Sequence, residues 1–356
     1  MSETGQHRKI LVAPLNWGLG HATRCIPIIK NLLSENFQPV LAGDGASLQL
    51  LIKEFPFLAH YELPSYKIEY AKKASNLKYR LLLKLPGILV AMAEERKILK
   101  KIIEKEDLKG IISDNRFGLR SDKIPSVYLT HQLRVLSGST SNFTSKIHQR
   151  IISGFHECWI PDVKGEQSLS GELSQAAQLN VPLRFIGPLS RFSNRKKTSD
   201  LDLFVILSGP EPQRSLLENK LRNELKNYEG SVLMVQGRIE DKQKTDQDGR
   251  IKLINFMLSG ELERTLRRSR LVISRSGYSS IMDLEAIGAN TFFVPTPGQF
   301  EQEYLAARMK NLGYSDFSRQ DEFSLEKLQQ GEKYPGFGHK KTSKTNFDVS
   351  LFDVFK

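Results

Sequence analysis

The amino-acid sequence predicts two α/β domains in tandem, each a parallel sheet wrapped by helices, and three observations predict it. Short apolar runs alternate with stretches of helical periodicity along the chain, the order expected of strand–helix–strand units. The 356 residues exceed what one hydrophobic core usually organises. A polar and basic stretch, "SNRKKTSD" from Ser193 to Asp200, interrupts the alternation, which then restarts. The predicted layout is a first domain over residues 1–192, a linker over 193–200, a second domain over 201–330 and a carboxy-terminal tail over 331–356.

The elements follow in order. Strands of the first domain are read at 9–15 ("KILVAPL"), 38–43, 110–113, 126–130 and 157–161, with helical patterns between most of them. From Ala22 to Leu33 the apolar residues Ile26, Ile29, Leu32 and Leu33 recur at helical spacing, so the chain opens on a strand, a glycine turn and a helix. In the second domain strands are read at 203–207, 231–237, 251–257, 271–274 and 290–295, with helices at about 211–227, 260–268, 279–287 and 301–312. The closing "FDVSLFDVF" carries phenylalanines and a leucine that suit a docked terminal segment.

Hydrophobic residues make up 39% and charged residues 26%, as in an ordinary folded protein. Cys25 and Cys158 lack metal-ligand spacing and "MSETGQHRK" lacks a signal-peptide core, so a reducing cytoplasm is expected. The most lipid-like stretch, Leu81 to Ala93, is broken by Lys84 and Pro86 and is too short to span a bilayer. The net charge of +12 is uneven, with ten Lys or Arg against three Asp or Glu between Lys67 and Lys101. This mixture of basic and apolar residues suits an anionic membrane surface and equally an ordinary helix with a solvated basic face. No nucleic-acid motif or interleaved aromatic platform accompanies it, so nucleic acid is not an expected partner.

Chemistry is concentrated in glycine turns at strand ends. "NWGLGHATR" places Gly18 and Gly20 between the first strand and helix, with His21 at the helix start. Such a turn exposes backbone N–H groups at the positive end of a helix dipole and lets an anion approach, while an imidazole there can handle a proton. Ser208 and Gly209 repeat the arrangement at the start of the second domain, and Arg275, Ser276, Gly277 and Ser280 do so again further on. Asp283 lies one helical turn beyond, suited to a ribose hydroxyl pair. Gln299, Glu301, Gln302 and Glu303 after Pro297 and Gly298 suit the hydroxyls of a sugar. Each of the three second-domain turns alone reads better as a capped loop, and it is their recurrence at strand ends in one domain that favours a ligand.

"GLGHATR" together with "VISRSGYSSIMDLEAIGANTFFVPTPGQFEQEYLAARMKNLG" resembles the GT-B glycosyltransferases of the family 28 branch, sharply from Leu271 to Gly313 and less so from Lys9 to Leu33. The resemblance implies two Rossmann-like domains facing across a cleft. The second would bind a UDP-sugar as co-substrate and the first an acceptor, with a lipid-linked one in view; no acidic pair with metal-ligand spacing stands out in the chain, so neither metal nor cofactor is expected. It implies diphosphate binding by Ser276, Gly277 and Ser280 and by the turn at Ser208 and Gly209, and ribose binding by Asp283 in place of a family glutamate. It implies donor-sugar contact by Gln302, with Glu303 replacing a second family glutamine. Arg275 is expected to help stabilise the departing diphosphate. His21 is the first candidate base, Asp114 the second and His131 the third. A UDP-sugar hydrolase with a similar glycine–histidine turn and a non-catalytic nucleotide-sugar binder are the competing expectations.

Overall fold

The computed structural model describes residues 8–66, 77–175, 179–192, 198–339 and 348–356. The first sheet contains β1 (Lys9–Pro14), β2 (Gln38–Gly43), β3 (His60–Glu62), β4 (Leu108–Asp114), β5 (Ser126–Leu129), β6 (Glu157–Ile160) and β7 (Leu183–Phe185). Their order is β3-β2-β1-β4-β5-β6-β7, and every pairing is parallel. Helices α1 (Gly20–Ser34), α2 (Gly45–Glu54), α3 (Leu77–Glu106) and α4 (Ser141–Ile152) lie between the strands. Because both faces of the sheet are covered, β1 is apolar without alternation: Ile10, Leu11, Val12 and Ala13 are all fully buried.

The second sheet repeats the plan with β8 (Leu201–Ile206), β9 (Val232–Val235), β10 (Thr245–Asp248), β11 (Ile251–Ile254), β12 (Ser269–Ser274), β13 (Thr291–Phe293) and β14 (Asp316–Phe317). Its order is β10-β11-β9-β8-β12-β13-β14. Helices α5 (Gln213–Leu225), α6 (Ser259–Arg268), α7 (Tyr278–Ile287), α8 (Phe300–Asn311) and α9 (Leu325–Gly331) complete the domain. The one departure from a parallel sheet among the described residues is β10, which runs antiparallel to β11 at the edge. Its sequence, Thr-Asp-Gln-Asp, is mostly exposed and carries no apolar signal, as befits an edge strand kept polar against unwanted pairing.

Strand order reverses between β1 and β4 in one sheet and between β8 and β12 in the other. Such switch points open a crevice at the carboxyl ends of the strands. The two crevices face each other. Gly18 (φ +90°) approaches Gly209 (φ +97°) so closely that a Cβ on Gly18 would lie 3.9 Å from the Gly209 Cα. Ser279 Oγ donates to Gly20 O at 2.7 Å, and Tyr278 Oη donates to Pro161 O at 2.8 Å. Glu54 accepts from the Ser259 N–H and hydroxyl at 2.7 and 2.6 Å on another side of the same joint.

The chain crosses the joint twice. Residues 186–192 lead toward the second domain, with Ser190 and Arg191 tied to Asp283. The terminal turn Val349–Phe355 lies back on the first domain. There Phe352 packs 5.6 Å from Phe37 and 6.1 Å from Trp159, while Phe355 meets the other edge of Trp159 at 6.1 Å. Arg8 Nη1 donates to the carbonyls of Phe355 and Lys356 at 3.1 and 2.6 Å. Each buried phenylalanine contributes about 1.5–3 kcal/mol, so this short segment holds well above its length.

Helix α3 contains most of the basic and apolar region. Ala91, Glu95, Leu99 and Ile102 are buried at helical spacing, so its carboxy-terminal half is an ordinary core-facing helix. Leu89 and Val90 on the same helix are 63% and 58% exposed. The basic residues Lys67, Lys72 and Lys73 lie outside the described residues. No described helix is long and apolar enough to cross a membrane.

Candidate active site

The inter-domain cleft has a volume of about 1480 Å³ and is walled by Gly18, Gly20, His21, His131, Ser208, Gly209 and the turn at 277–280, among others. Helices α1 and α7 both begin at it. Their first turns lack side-chain caps, Leu19 and Gly277 occupying the cap positions, so backbone N–H groups are left for a ligand. Two positive helix ends converging on one space favour an anion there.

His21 Nδ1 lies 2.8 Å from Asp114 Oδ1, and Asp114 is fully buried at the end of β4. Arg24 Nη2 also lies 2.9 Å from this Nδ1, so the nitrogen sits between a donor and a carboxylate; in the tautomer whose Nδ1–H donates to Asp114, Nε2 keeps a free lone pair on the cleft side. Arg24, one helical turn after His21 and so on the same face of α1, donates its Nε to Asp114 Oδ2 at 2.6 Å and its Nη2 to Oδ1. Burial by itself would raise the Asp114 pKa, but the guanidinium of Arg24 and the imidazole of His21 overcome it and hold the carboxyl at about 2. Asp114 is therefore an anion at any working pH. Contrary to the expectation of Asp114 as an alternative base, its oxygens are buried and engaged by Arg24 and His21, so they do not face the cleft.

The network continues across the joint. Arg24 Nη1 lies 3.0 Å from His131 Nδ1, which must accept because a guanidinium only donates. His131 consequently carries its proton on Nε2 and donates it to Glu301 of α8 at 2.8 Å. Its ring stacks on Tyr278 of α7 at 4.3 Å, and burial holds its pKa below the usual imidazole value. His131 is thus an inter-domain contact with both nitrogens occupied, unsuited to the third-choice base role.

His148 of α4 is also buried, which pushes its pKa down to about 4 from an ordinary 6.5. A buried imidazole that stays neutral stabilises the fold above the unfolded pKa, and this stability is lost as pH falls from 6.5 through 4. At about 1.4 kcal/mol per pKa unit the loss is about 3 kcal/mol. Asp114, with its depressed pKa, adds a further loss between pH 4 and 2. Denaturant melts across this range are expected to show falling stability, with the slope between pH 6.5 and 4 flattened in His148→Gln.

Residues 213–334 match the family model of the glycosyltransferase family 28 C-terminal domain. The chain is 25% identical over 218 residues to the UDP-N-acetylglucosamine--N-acetylmuramyl-(pentapeptide) pyrophosphoryl-undecaprenol N-acetylglucosamine transferase of Buchnera aphidicola, an alignment covering 58% of this chain and 56% of that protein. It is 23% identical over 337 residues to the protein of the same name in Haemophilus ducreyi, with 90% and 88% covered. The chain thus spans little more than half of the former and most of the latter. The crystal structure of Acinetobacter baumannii MurG superposes with a TM-score of 0.56 at 12% identity, covering 98% of this chain and 99% of that one. The chain thus has the GT-B fold, and its residues 213–334 match the glycosyltransferase family 28 C-terminal domain.

Within the family 28 domain the sequence-predicted residues divide. Gly277 and Ser280 line the cleft beside Tyr278 and Ser279, and Ser208 and Gly209 face them. Ser276 does not: it is fully buried, its hydroxyl donating to Gln302 O at 2.8 Å, so it braces α8 against the turn. Arg275 is likewise corrected. Its guanidinium is 1% exposed and donates to the carbonyls of Val294, Pro295 and Gln213 at 2.8–3.0 Å and to Gln320 Oε1 at 2.7 Å. It stitches strand ends to α5 and does not reach the cleft. Glu303 also points away, accepting from Gly298 N–H at 3.0 Å to close the loop before α8.

Asp283 lines the cleft, but its carboxylate is already held by Ser190 Oγ at 2.9 Å and Arg191 Nε at 3.2 Å. Gln302 lines it too, with Oε1 taken by the Thr296 N–H at 2.9 Å and Nε2 by Gln299. Arg24, Arg191 and Asn115 were missed by sequence reasoning. The three-residue spacing from His21 was a readable signal for Arg24. Arg191 and Asn115 join the cleft only through the fold.

Proposed function

We propose that the protein transfers a sugar from a UDP-sugar to a hydroxyl group, with His21 as the general base. The diphosphate sits against the uncapped start of α7 and the Ser208–Gly209 turn, where peptide N–H groups, helix dipoles and Arg191 take up the charge of the leaving group without a metal ion. Asp283 and Arg191 flank the ribose side, and Gln299, Glu301 and Gln302 face the donor sugar. The acceptor hydroxyl approaches from the first domain. As its oxygen bonds to the anomeric carbon, His21 Nε2 takes its proton, and the bond from that carbon to the β-phosphate oxygen breaks with the electron pair leaving on UDP. Closure of the cleft keeps water from competing.

The observation that carries this reading is the oriented His21–Asp114 pair in the same cleft as the free N–H groups of two helix starts. The acceptor side of the cleft is apolar, with Ile88, Leu89, Met92, Phe143 and Ile147, and carries Arg96 and Arg150. Leu89 and Phe143 are 63% and 60% exposed at its mouth. This supports an amphiphilic acceptor, and the relatives' names, which pair UDP-N-acetylglucosamine with a pyrophosphoryl-undecaprenol acceptor, support a lipid-linked one taken up at the inner face of an anionic membrane.

The test is UDP release from UDP-sugars, UDP-N-acetylglucosamine first, with and without n-octyl glycosides as acceptors. Acceptor-dependent release with formation of a disaccharide supports transfer. Equal release of UDP and free sugar without acceptor identifies a hydrolase, and failure to bind UDP at all removes the catalytic reading.

A further inference from the structure

Asn115 is the residue after Asp114, and its backbone is left-handed, with φ +56°. Asparagine tolerates this conformation better than most side chains, yet it is uncommon away from glycine and gathers at functional sites. Its consequence here is geometric. The chain turns sharply after β4, so Asp114 faces inward to Arg24 while Asn115 lines the cleft.

The amide is held at one end. Tyr128 Oη donates to Asn115 Oδ1 at 3.0 Å and is itself 2.9 Å from His148 Nε2, which with the tyrosine proton so used must donate to it. Tyr128 and His148 are buried, and their rings pack edge-on at 5.6 Å, so this support is rigid. Asn115 Nδ2 has no hydrogen-bond partner among the described residues. Trp17 and Phe117 also line the cleft and pack in one apolar cluster. An unused amide donor on the wall of the cleft that Trp17 and Phe117 also line, next in the chain to the carboxylate beside His21, makes a seat for an oxygen-bearing ring.

Resting on the functional reading above, we propose that Asn115 is an acceptor-binding residue: its Nδ2 donates to an oxygen of the acceptor saccharide and holds the reacting hydroxyl at His21. Tyr128 and His148 are positioning residues that aim the amide.

The test uses n-octyl β-D-glucoside below its micellar concentration, titrated into the protein with and without saturating UDP. Asn115→Gly removes the amide while keeping the positive φ, which glycine adopts without strain. Asn115→Asp keeps an oxygen for Tyr128 but supplies no donor. Both variants are expected to bind the glycoside about tenfold more weakly, the size of one good hydrogen bond. The affinity for UDP should stay within twofold. Failure of the parent protein to bind the glycoside, equal binding by parent and Asn115→Gly, or a parallel loss of UDP affinity would each overturn the proposal. If the parent ignores UDP the functional reading falls instead, and the titration without UDP still decides Asn115.

Discussion

His21→Ala is expected to lower turnover by about 10³-fold or more while leaving UDP affinity unchanged. General-base assistance typically accounts for 10² to 10⁴ in rate, and the other two candidate bases are not placed to replace it. Asp114 is buried and doubly engaged, and His131 has both nitrogens committed to Arg24 and Glu301. UDP affinity should survive because the peptide N–H groups of α7 and the Ser208–Gly209 turn lie on the opposite wall. Calorimetric titration with UDP beside an initial-rate assay checks both halves. Undiminished turnover would remove His21 from the mechanism.

The second large effect is at Asp114. Asp114→Asn should reduce turnover by on the order of 10³-fold, because the amide cannot hold the imidazole in the tautomer that leaves Nε2 free, nor stabilise the imidazolium once it has taken the proton. Unlike His21→Ala it should also destabilise the fold, by about 3–5 kcal/mol, since the buried Arg24 guanidinium loses its only carboxylate among the described residues. Urea melts of the two variants separate these cases: one loses activity alone, the other activity and stability together. Equal melting of Asp114→Asn and the parent protein would contradict the buried-pair reading.

Much of this architecture can be read from residue order, because a parallel sheet buried on both faces leaves apolar runs such as Ile10 to Ala13 bounded by glycine turns. Strands that lack such runs escaped. The short β3 and β7 and the polar β10 owe their place to neighbours already in the sheet. The site was legible where chemistry and spacing coincide, as at Gly18, Gly20 and His21. It was misread where a polar residue near a turn serves the turn itself: Arg275 satisfies three carbonyls, Ser276 braces α8 and Glu303 closes its own loop. Residue type announces the capacity to bind, whereas the direction of a side chain at a strand end depends on which neighbours still need partners. Asn115 was silent in the sequence for the same reason, since nothing local announces a left-handed turn that faces a cleft.

The return of the terminal turn to Trp159 has a consequence for biosynthesis. On the ribosome, an amino-terminal domain ordinarily matures while later residues are still being made. Here the aromatic seat around Phe37 and Trp159 stays open until its occupants, Phe352 and Phe355, far downstream in the chain, have emerged. A nascent chain stalled short of this point therefore presents an unfilled greasy hollow, which makes truncated products natural clients for chaperones and proteases.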